Sequence, residues 1–472
     1  MEKKNIVRLI TIFVVLVYTG AIAFWHFYTP DSKITIQNPG ADNRPEGSAR
    51  TVDDVVIGEF FMRFAESSPT LKGQWTAFRG SDYKNIARTN ARFNFSSDFP
   101  VMWKVETGEG YAAPVIYNGL VYFLDYDERL SSDMLRCFDL ETGTELWRRW
   151  YRVPMRRNHG FSRTVPAVND RFIVTIGPMG HVMVCDRITG ELIWTIDMQK
   201  QFETEVPHWY TGQCPRIENN QVILAPAGKE ILMIGVDIQT GEIVWQTPNT
   251  LNYKMSHSSI MPMTLKGKKT FVYMGVGGIC GVSAEGADKG QLLWNTPWPP
   301  TVVAPSAVQL SSDRILLTAG YGAGGAIVQV DYTNGRWSAT MTDRWRANEG
   351  LSSEQQTPIL YEQLLITIPP NDGGGIRRKV VAYSPSNLRT PIWESAMDER
   401  FGLGPYIVIG NHLFAFKDDG ELFVYQLQQR GVTLVKRQRI MDGHDAWGPM
   451  AYADGYLILR DDKWIYCLKI GE

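Results

Sequence analysis

Three stretches decide the reading of this chain: Asp139-Leu-Glu-Thr-Gly-Thr-Glu-Leu-Trp147, Asp186-Arg-Ile-Thr-Gly-Glu-Leu-Ile-Trp194 and Asp237-Ile-Gln-Thr-Gly-Glu-Ile-Val-Trp245. A degenerate fourth, Lys289-Gly-Gln-Leu-Leu-Trp294, keeps the glycine and the indole, and fainter copies end at Trp345 and Trp393. Self-similarity at a fixed period marks a repeat architecture. Upstream of each stretch stands a proline followed by a short alternating apolar run. These prolines are Pro114, Pro166, Pro215, Pro262, Pro305, Pro358, Pro405 and Pro449, spaced by about 43–53 residues.

Each unit has the same grammar. In the first, a strand follows the proline, Asn118-Gly119 turns the chain, and a second strand begins at Leu120. A third strand leads into the Asp-x-x-Thr-Gly turn and a fourth carries the tryptophan. Asn-Gly and Thr-Gly supply the positive φ that tight hairpins need. Four short antiparallel strands at such a period describe one blade of a β-propeller. The last unit, from Gly448, ends after its third strand, whereas Val101-Met-Trp103-Lys-Val is an orphan fourth strand ahead of the first unit. The spacing therefore predicts an all-β, eight-bladed ring of four-stranded antiparallel blades, closed by its N- and C-terminal strands. The seventh unit lacks a tryptophan, and its fourth strand is expected near Val432 to Lys436; seven blades is the competing count.

The chain has 472 residues, 44% hydrophobic and 21% charged, with 48 basic against 50 acidic side chains. This excludes a disordered chain and predicts no nucleic-acid footprint. Five cysteines imply no disulfide framework. Cys137, Cys185, Cys280 and Cys467 fall on strands and read as small buried hydrophobes.

Lys3, Lys4 and Arg8 precede an apolar run from Leu9 to Tyr28. A spanning helix needs about 20 such residues. Residues 1–28 are read as a cytoplasmic stub and transmembrane signal-anchor, with the remainder exported. The alternative is a cleaved signal peptide, with Ala21-Ile22-Ala23 as its small-residue site. Residues 29–74 are read as a linker, with a polar tether up to Arg50. Within the linker, a short amphipathic helix is expected from Thr51 to Glu66, with Thr51 and Asp54 as a capping box and Val52, Val55, Val56, Phe60 and Phe64 near one face. Residues 75–472 are the propeller.

The repeated Asp-x-x-Thr-Gly-x-x-x-Trp ending resembles the PQQ-like repeat of quinoprotein-type propellers. Trp75-Thr-Ala-Phe-Arg-Gly80, Tyr210-Thr-Gly-Gln-Cys-Pro215, His257-Ser-Ser259 and Gly320-Tyr-Gly-Ala-Gly-Gly325 resemble segments of exported bacterial PQQ-like repeat proteins. That superfamily includes both quinoprotein alcohol dehydrogenases and the BamB envelope-assembly scaffold, so the fold alone does not choose between them. The dehydrogenase branch implies pyrroloquinoline quinone with calcium. This chain has neither an adjacent cysteine pair nor a Cys-x-x-Cys-His haem site. No cofactor and no metal are expected otherwise.

Two roles are expected for the marked residues. Trp103, Trp147, Trp194, Trp245, Trp294, Trp345 and Trp393 should act as packing between blades. The connections ahead of each proline should gather at one mouth of the channel, and four of the seven histidines lie in them. His159, Arg163, His208, Trp209, Tyr210, His257, Ser258, Ser259, Glu354, Gln355, Arg400, His444 and Trp447 are the candidate ligand-binding residues. The bland alternative is that these polar groups only bridge neighbouring blades. Arg148, Arg149, Arg152, Arg156 and Arg157 form a basic run that suits an acidic partner or a solvated loop. Gly320 to Gly325 is expected as a bend inside the fifth blade, and Gly373 to Gly375 as a hairpin turn.

The resulting expectation is a non-catalytic, membrane-anchored propeller on the extracytoplasmic side of a bacterial cell membrane, binding a protein partner or a small ligand. A quinone-dependent alcohol or sugar dehydrogenase and a glycan or small-solute binder are the alternatives.

Overall fold

The computed structural model of the chain describes residues 3–27, 55–428 and 431–472. The chain divides into two units, Met1–Asp54 and Val55–Glu472. In the first, Lys3–Phe27 is a single α-helix. Its Lys4–Phe27 portion is long and apolar enough to cross a membrane. The polar tether to Arg50 and the Thr51–Asp54 capping box lie outside the described residues.

The second unit is a ring of eight antiparallel sheets. The first blade is built from Val115–Tyr117, Leu120–Asp127, Ser132–Asp139 and Glu145–Arg152. The last is Ala451–Ala453, Tyr456–Arg460 and Trp464–Lys469, completed by Val101–Glu106 from ahead of the ring. There Trp103 lies opposite Cys467 and Lys104 opposite Tyr466. The seam is pinned by the fully buried Arg460, which donates to the Ala112 carbonyl at 3.0 Å and to Thr107 Oγ1 at 3.1 Å. The seventh blade's fourth strand is Gly431–Arg439.

The repeat motif works as one device. Asp139, Asp186 and Asp237 each accept two backbone N–H bonds within their own turn, at 2.9–3.0 Å. The turn closes on Gly143, Gly190 and Gly241, all with φ between 69° and 76°, where a side chain would be strained. The indole of the preceding blade lies against that same glycine. A Cβ on Gly143 would stand 2.5 Å from Trp103, one on Gly190 3.0 Å from Trp147, and one on Gly241 2.8 Å from Trp194. Trp245 meets Gly290 of the fourth blade in the same way. Trp103 Nε1 donates to the Leu140 carbonyl and Trp194 Nε1 to Ile238, each the residue after the turn's aspartate. Across their own blades four of these indoles face a small residue, Cys137 opposite Trp147, Cys467 opposite Trp103, Gly235 opposite Trp245 and Gly281 opposite Trp294, whereas Trp194 faces Val184.

Two segments depart from the sequence reading. The expected helix up to Glu66 is instead a strand at Phe60–Arg63, paired antiparallel with the outer edge of the first blade. Aromatic residues favour a pleated surface, and the outer strand offered an unpaired row of backbone groups. Phe60 stacks on Trp150 with ring centres 5.6 Å apart. Gly373–Gly375 is not a hairpin turn: Gly374–Ile376 is a 3₁₀ turn within a longer connection. Gly320–Gly325 does bend between two strands of the fifth blade, Arg314–Ala319 and Gly324–Thr333.

The stretch from Gln74 to Ala87 is more than a lead-in. It lies across the central channel. Gln74–Trp75 pairs with the innermost strand of the first blade, and Ile86–Ala87 runs parallel to that of the seventh, Tyr406–Ile409. Between them, the Thr76 carbonyl accepts from Val168 of the second blade at 2.8 Å. Arg79 donates to the Thr357 and Pro358 carbonyls of the sixth blade at 2.7 and 3.0 Å. The Arg216 guanidinium of the third covers the Tyr83 ring at 4.2 Å.

A buried polar chain joins the first two blades. Ser162 Oγ donates to Asp133 Oδ1 at 2.8 Å and Tyr151 OH to Asp133 Oδ2 at 3.1 Å, while His181 Nδ1 stands 3.2 Å from the same phenol. Burial pushes the Asp133 carboxyl up to about 7, Asp125 adds to the effect, and the Ser162 and Tyr151 hydrogen bonds oppose it.

Two predictions follow from this packing. Trp147 is 1% exposed, so Trp147→Ala should cost about 3–5 kcal/mol of stability, read as a lower midpoint in urea. Asp133 is raised in the folded state above its ordinary value of about 3.9. Its stabilising contribution is therefore complete below about pH 4 and lost as pH rises through about 7. Asp133→Asn should flatten the fall in denaturation midpoint between pH 5 and 8, compared with the unmodified chain. An unchanged slope would show that Asp133 does not carry the dependence.

Candidate functional site

Within each blade the innermost strand starts at its repeat proline, so the connections ahead of the prolines share one face of the ring. On that face lies a cavity of about 240 Å³. Phe78 of the channel segment lines it, together with residues from the connections ahead of all eight repeat prolines. The structure brings together His159, Arg163, Trp209, His257, Glu354, Gln355 and Trp447 from the sequence candidates.

Two aromatic walls face the cavity. On one, Trp447 stacks on Tyr111 with centres 5.0 Å apart at 25°. On the other, Trp209 stacks on Tyr321 at 5.8 Å and 14°, with His257 6.2 Å from Trp209. Tyr321 is 65% exposed, an unusual position for a large ring. His159, Tyr210 and Tyr321 hold positive φ of 51°, 68° and 56° without being glycine. Such conformations cost energy and persist where surrounding structure imposes them.

The Arg163 guanidinium lies 5.9 Å from the Tyr111 ring and donates to the His159 carbonyl at 3.0 Å. Burial lowers its pKa to about 10, leaving it cationic. His257 is held neutral: burial, then the nearby Arg163 charge, lower its pKa to about 4. Burial, with Asp372 adding to it, raises the pKa of Glu354. Arg163 Nε, His257 Nδ1 and Trp447 Nε1 are buried without hydrogen-bond partners.

The remaining candidates sit elsewhere. His208 is exposed, edge-on to Trp209, and only its carbonyl is used, by Asn158. The Tyr210 hydroxyl donates to the Arg156 carbonyl. Arg400 folds back onto the carbonyls of Gly375 and Arg377. His444 turns outward toward Asp462, 3.4 Å away. Ser258 and Ser259 are buried and serve as blade bridges. Val165 N–H donates to Cys214 Sγ, Cys214 N–H to Ser259 Oγ, Ser259 N–H to Ser306 Oγ and Ser306 N–H to Thr357 Oγ1. This ladder steps through five consecutive blades beside their repeat prolines. Sequence reading missed Phe78, Tyr111 and Tyr321. Tyr111 stands three residues before Pro114, the same register as the other candidates, and was the one with a readable signal.

The basic run after Trp147 is largely engaged. Arg148 meets Glu145 at 2.7 Å, Arg149 donates to the Gly58 and Gly190 carbonyls, and Arg157 meets Glu109 at 2.5 Å. A larger cavity of about 810 Å³ is lined by the inner strands of the fourth to seventh blades and the channel segment. Its charges, from Asp82, Lys84, Arg88 and Glu362, are mixed in sign.

The fit of a quinone cofactor is a question of donors. Pyrroloquinoline quinone is a flat tricarboxylate that works with a divalent cation. The 240 Å³ cavity offers one guanidinium, Arg163, and one carboxyl, Glu354, whose ionised form burial disfavours. Among the described residues no three His, Cys, Asp or Glu side chains converge as metal ligands. The donor set does not match that group.

The family model described as outer membrane protein assembly factor BamB matches residues 131–387. That is more than half of the chain, and the chain belongs to this family. Among solved structures, BamB from Moraxella catarrhalis is similar at 14% identity and a TM-score of 0.52, covering 79% of this chain and all of that one. Quinohemoprotein alcohol dehydrogenase from Comamonas testosteroni is similar at 12% identity and 0.56, covering 84% of this chain and 80% of that one. The computationally designed Ika8 protein gives 12% and 0.52, covering 78% and 99%. At these identities the likeness is one of fold. No curated protein matches the chain.

The two kinds of polar residue separate experimentally. Ser259→Ala strips a buried N–H of its acceptor and should cost about 1–3 kcal/mol. His208→Ala, at an exposed position, should stay within about 0.5 kcal/mol. Urea denaturation of both variants reads the contrast.

Proposed function

We propose that this chain is a non-catalytic scaffold on the extracytoplasmic side of a bacterial membrane, held there by Lys3–Phe27 and binding a protein partner at the cavity face. The observation that carries the reading is the cavity itself. A stacked pair, the half-buried Trp209 and the exposed Tyr321, borders a recess rich in aromatic side chains, around which buried nitrogens are left without partners. Recognition sites combine such apolar walls with a few placed polar groups. No cluster of three or more metal ligands is found among the described residues. Membership of a family described by outer-membrane protein assembly supports a partner in envelope assembly. The helix supports tethering by its length and apolarity. The donor set argues against the quinone-dependent dehydrogenase.

The test uses the full chain in its native membrane, with a photo-crosslinking residue in place of Tyr321 or, as control, Tyr332, an exposed position on another hairpin. A discrete protein adduct is expected at 321 and not at 332, reduced at least tenfold by Trp209→Ala. Stoichiometric uptake of pyrroloquinoline quinone with calcium, accompanied by oxidation of an alcohol, would overturn the scaffold reading.

A further inference from the structure

We propose that the recess receives an arginine side chain of the partner polypeptide, its guanidinium laid against the exposed Tyr321 ring and paired with the Glu354 carboxylate. This rests on the scaffold reading and names what the partner brings to the cavity face.

The argument starts from the single carboxyl in the lining, the half-buried Glu354. Its side chain lies against Gly320, the residue before Tyr321, where a Cβ would strike it. Acid and ring are therefore held side by side. Among the described residues no hydrogen bond and no ion pair engages the carboxylate. Burial, with Asp372 adding to it, raises its pKa, and Arg378 opposes them. An opposite charge placed beside such a group favours its ionised form. The recess is thus electrostatically incomplete in a way that a cation corrects.

The ring supplies the second half. Trp209 backs Tyr321 at 5.8 Å and 14°, yet Tyr321 remains 65% exposed. A cation over an aromatic face is attracted by the ring quadrupole. A guanidinium is flat, stacks on such faces and forks onto a carboxylate, which an ammonium does not. The opposite wall agrees in sign. Burial, then the charges of Asp445 and Glu109, raise the pKa of the Tyr111 hydroxyl, and Arg163 opposes them. Arg163 itself is turned to the carbonyls of Asn158 and His159, with its Nε buried, so its charge is held inside the wall.

Size and surroundings point to a polypeptide as the source. A recess of about 240 Å³ has room for one long side chain and not for a folded segment. Tyr321 and Val302 also line a second depression of about 290 Å³, shared with Pro299, Pro300 and Ala323. A chain lying across Tyr321 places its arginine in the first and covers the second with its neighbouring residues.

The test titrates the full chain in detergent micelles with a seven-residue peptide of alanine and serine carrying arginine at its centre. A fluorophore blocks its N-terminus and an amide its C-terminus. The control peptide has citrulline, the neutral isostere, in place of arginine. Fluorescence anisotropy should show saturable binding of the arginine form and at least tenfold weaker binding of the citrulline form. Glu354→Gln should bring the arginine form down to the citrulline level and leave citrulline unchanged. Tyr321→Ala, at an exposed position, supplies a second variant should Glu354→Gln fail to fold, as judged by circular dichroism; at least fivefold weaker arginine binding there supports the assignment. Equal binding of the two peptides, or no saturable binding of either, overturns it. Displacement of the peptide by N-acetyl-arginine amide at equal concentration also overturns it, because the ligand is then a small guanidinium compound. If the arginine preference is missing while crosslinks at 321 persist, only the ligand assignment falls; loss of both removes the scaffold reading as well.

Discussion

The ring rests on one contact repeated: an indole from the fourth strand of a blade lying on the bare turn glycine of the next. A single blade cannot bury both faces of its sheet, so each depends on its neighbours. The contact couples two requirements in one residue. Gly143, Gly190 and Gly241 must be glycine both for their positive φ and because a Cβ would strike the ring. Turn formation within one blade and docking of the previous blade are therefore satisfied together or not at all. Four successive junctions, from the eighth blade through the fourth, are made this way. The rest of the ring solves the problem differently. Arg389 covers Trp345 at 4.8 Å, and Trp393 meets Tyr425 edge-on. In the seventh blade Lys436, not an indole, packs over Phe99 and donates to the Ser97 carbonyl.

That division explains what was legible in the sequence. Where the indole contact operates, a nine-residue signature survives, because changing either partner breaks the junction. Where arginines, lysine and outside aromatics replace it, the signature fades, and the blades had to be counted from their prolines. The seam was legible because a strand lacking three partners and a unit lacking its fourth strand can satisfy their edges only through each other. Phe60–Arg63 was misread because local periodicity cannot see that the outer edge of a distant blade is unpaired. The channel segment was invisible for a similar reason. Trp75 and Arg79 carry no repeat grammar, and the segment's role comes from five blades converging along its length.

The candidate site shows a different limit. Its residues were gathered by one rule, closeness to a repeat proline, and the structure splits them into three fates. Ser258 and Ser259 stitch blades, His208 and His444 face outward, and His159, Arg163, His257 and Trp447 face the recess. The connections differ in length, so equal distance from a proline does not mean equal position around the hub. Hydroxyls beside the proline face backbone N–H groups of the neighbouring blade, and short side chains are the ones that reach them without disturbing the strands. Long or aromatic side chains extend past that layer. Side-chain length, rather than position alone, separated the bridge from the recess.

The channel segment decides what kind of recess this is. Arg79, fixed to two carbonyls of the sixth blade, holds the segment in place beneath it. A ring of eight blades would otherwise offer a through-passage. Phe78 of that segment is part of the lining of the recess. Its walls are carried by strands locked through indole contacts and by a hydrogen-bonded ladder, so little conformational freedom remains to be lost when it is filled. Pre-organisation of this kind converts a small contact into useful affinity.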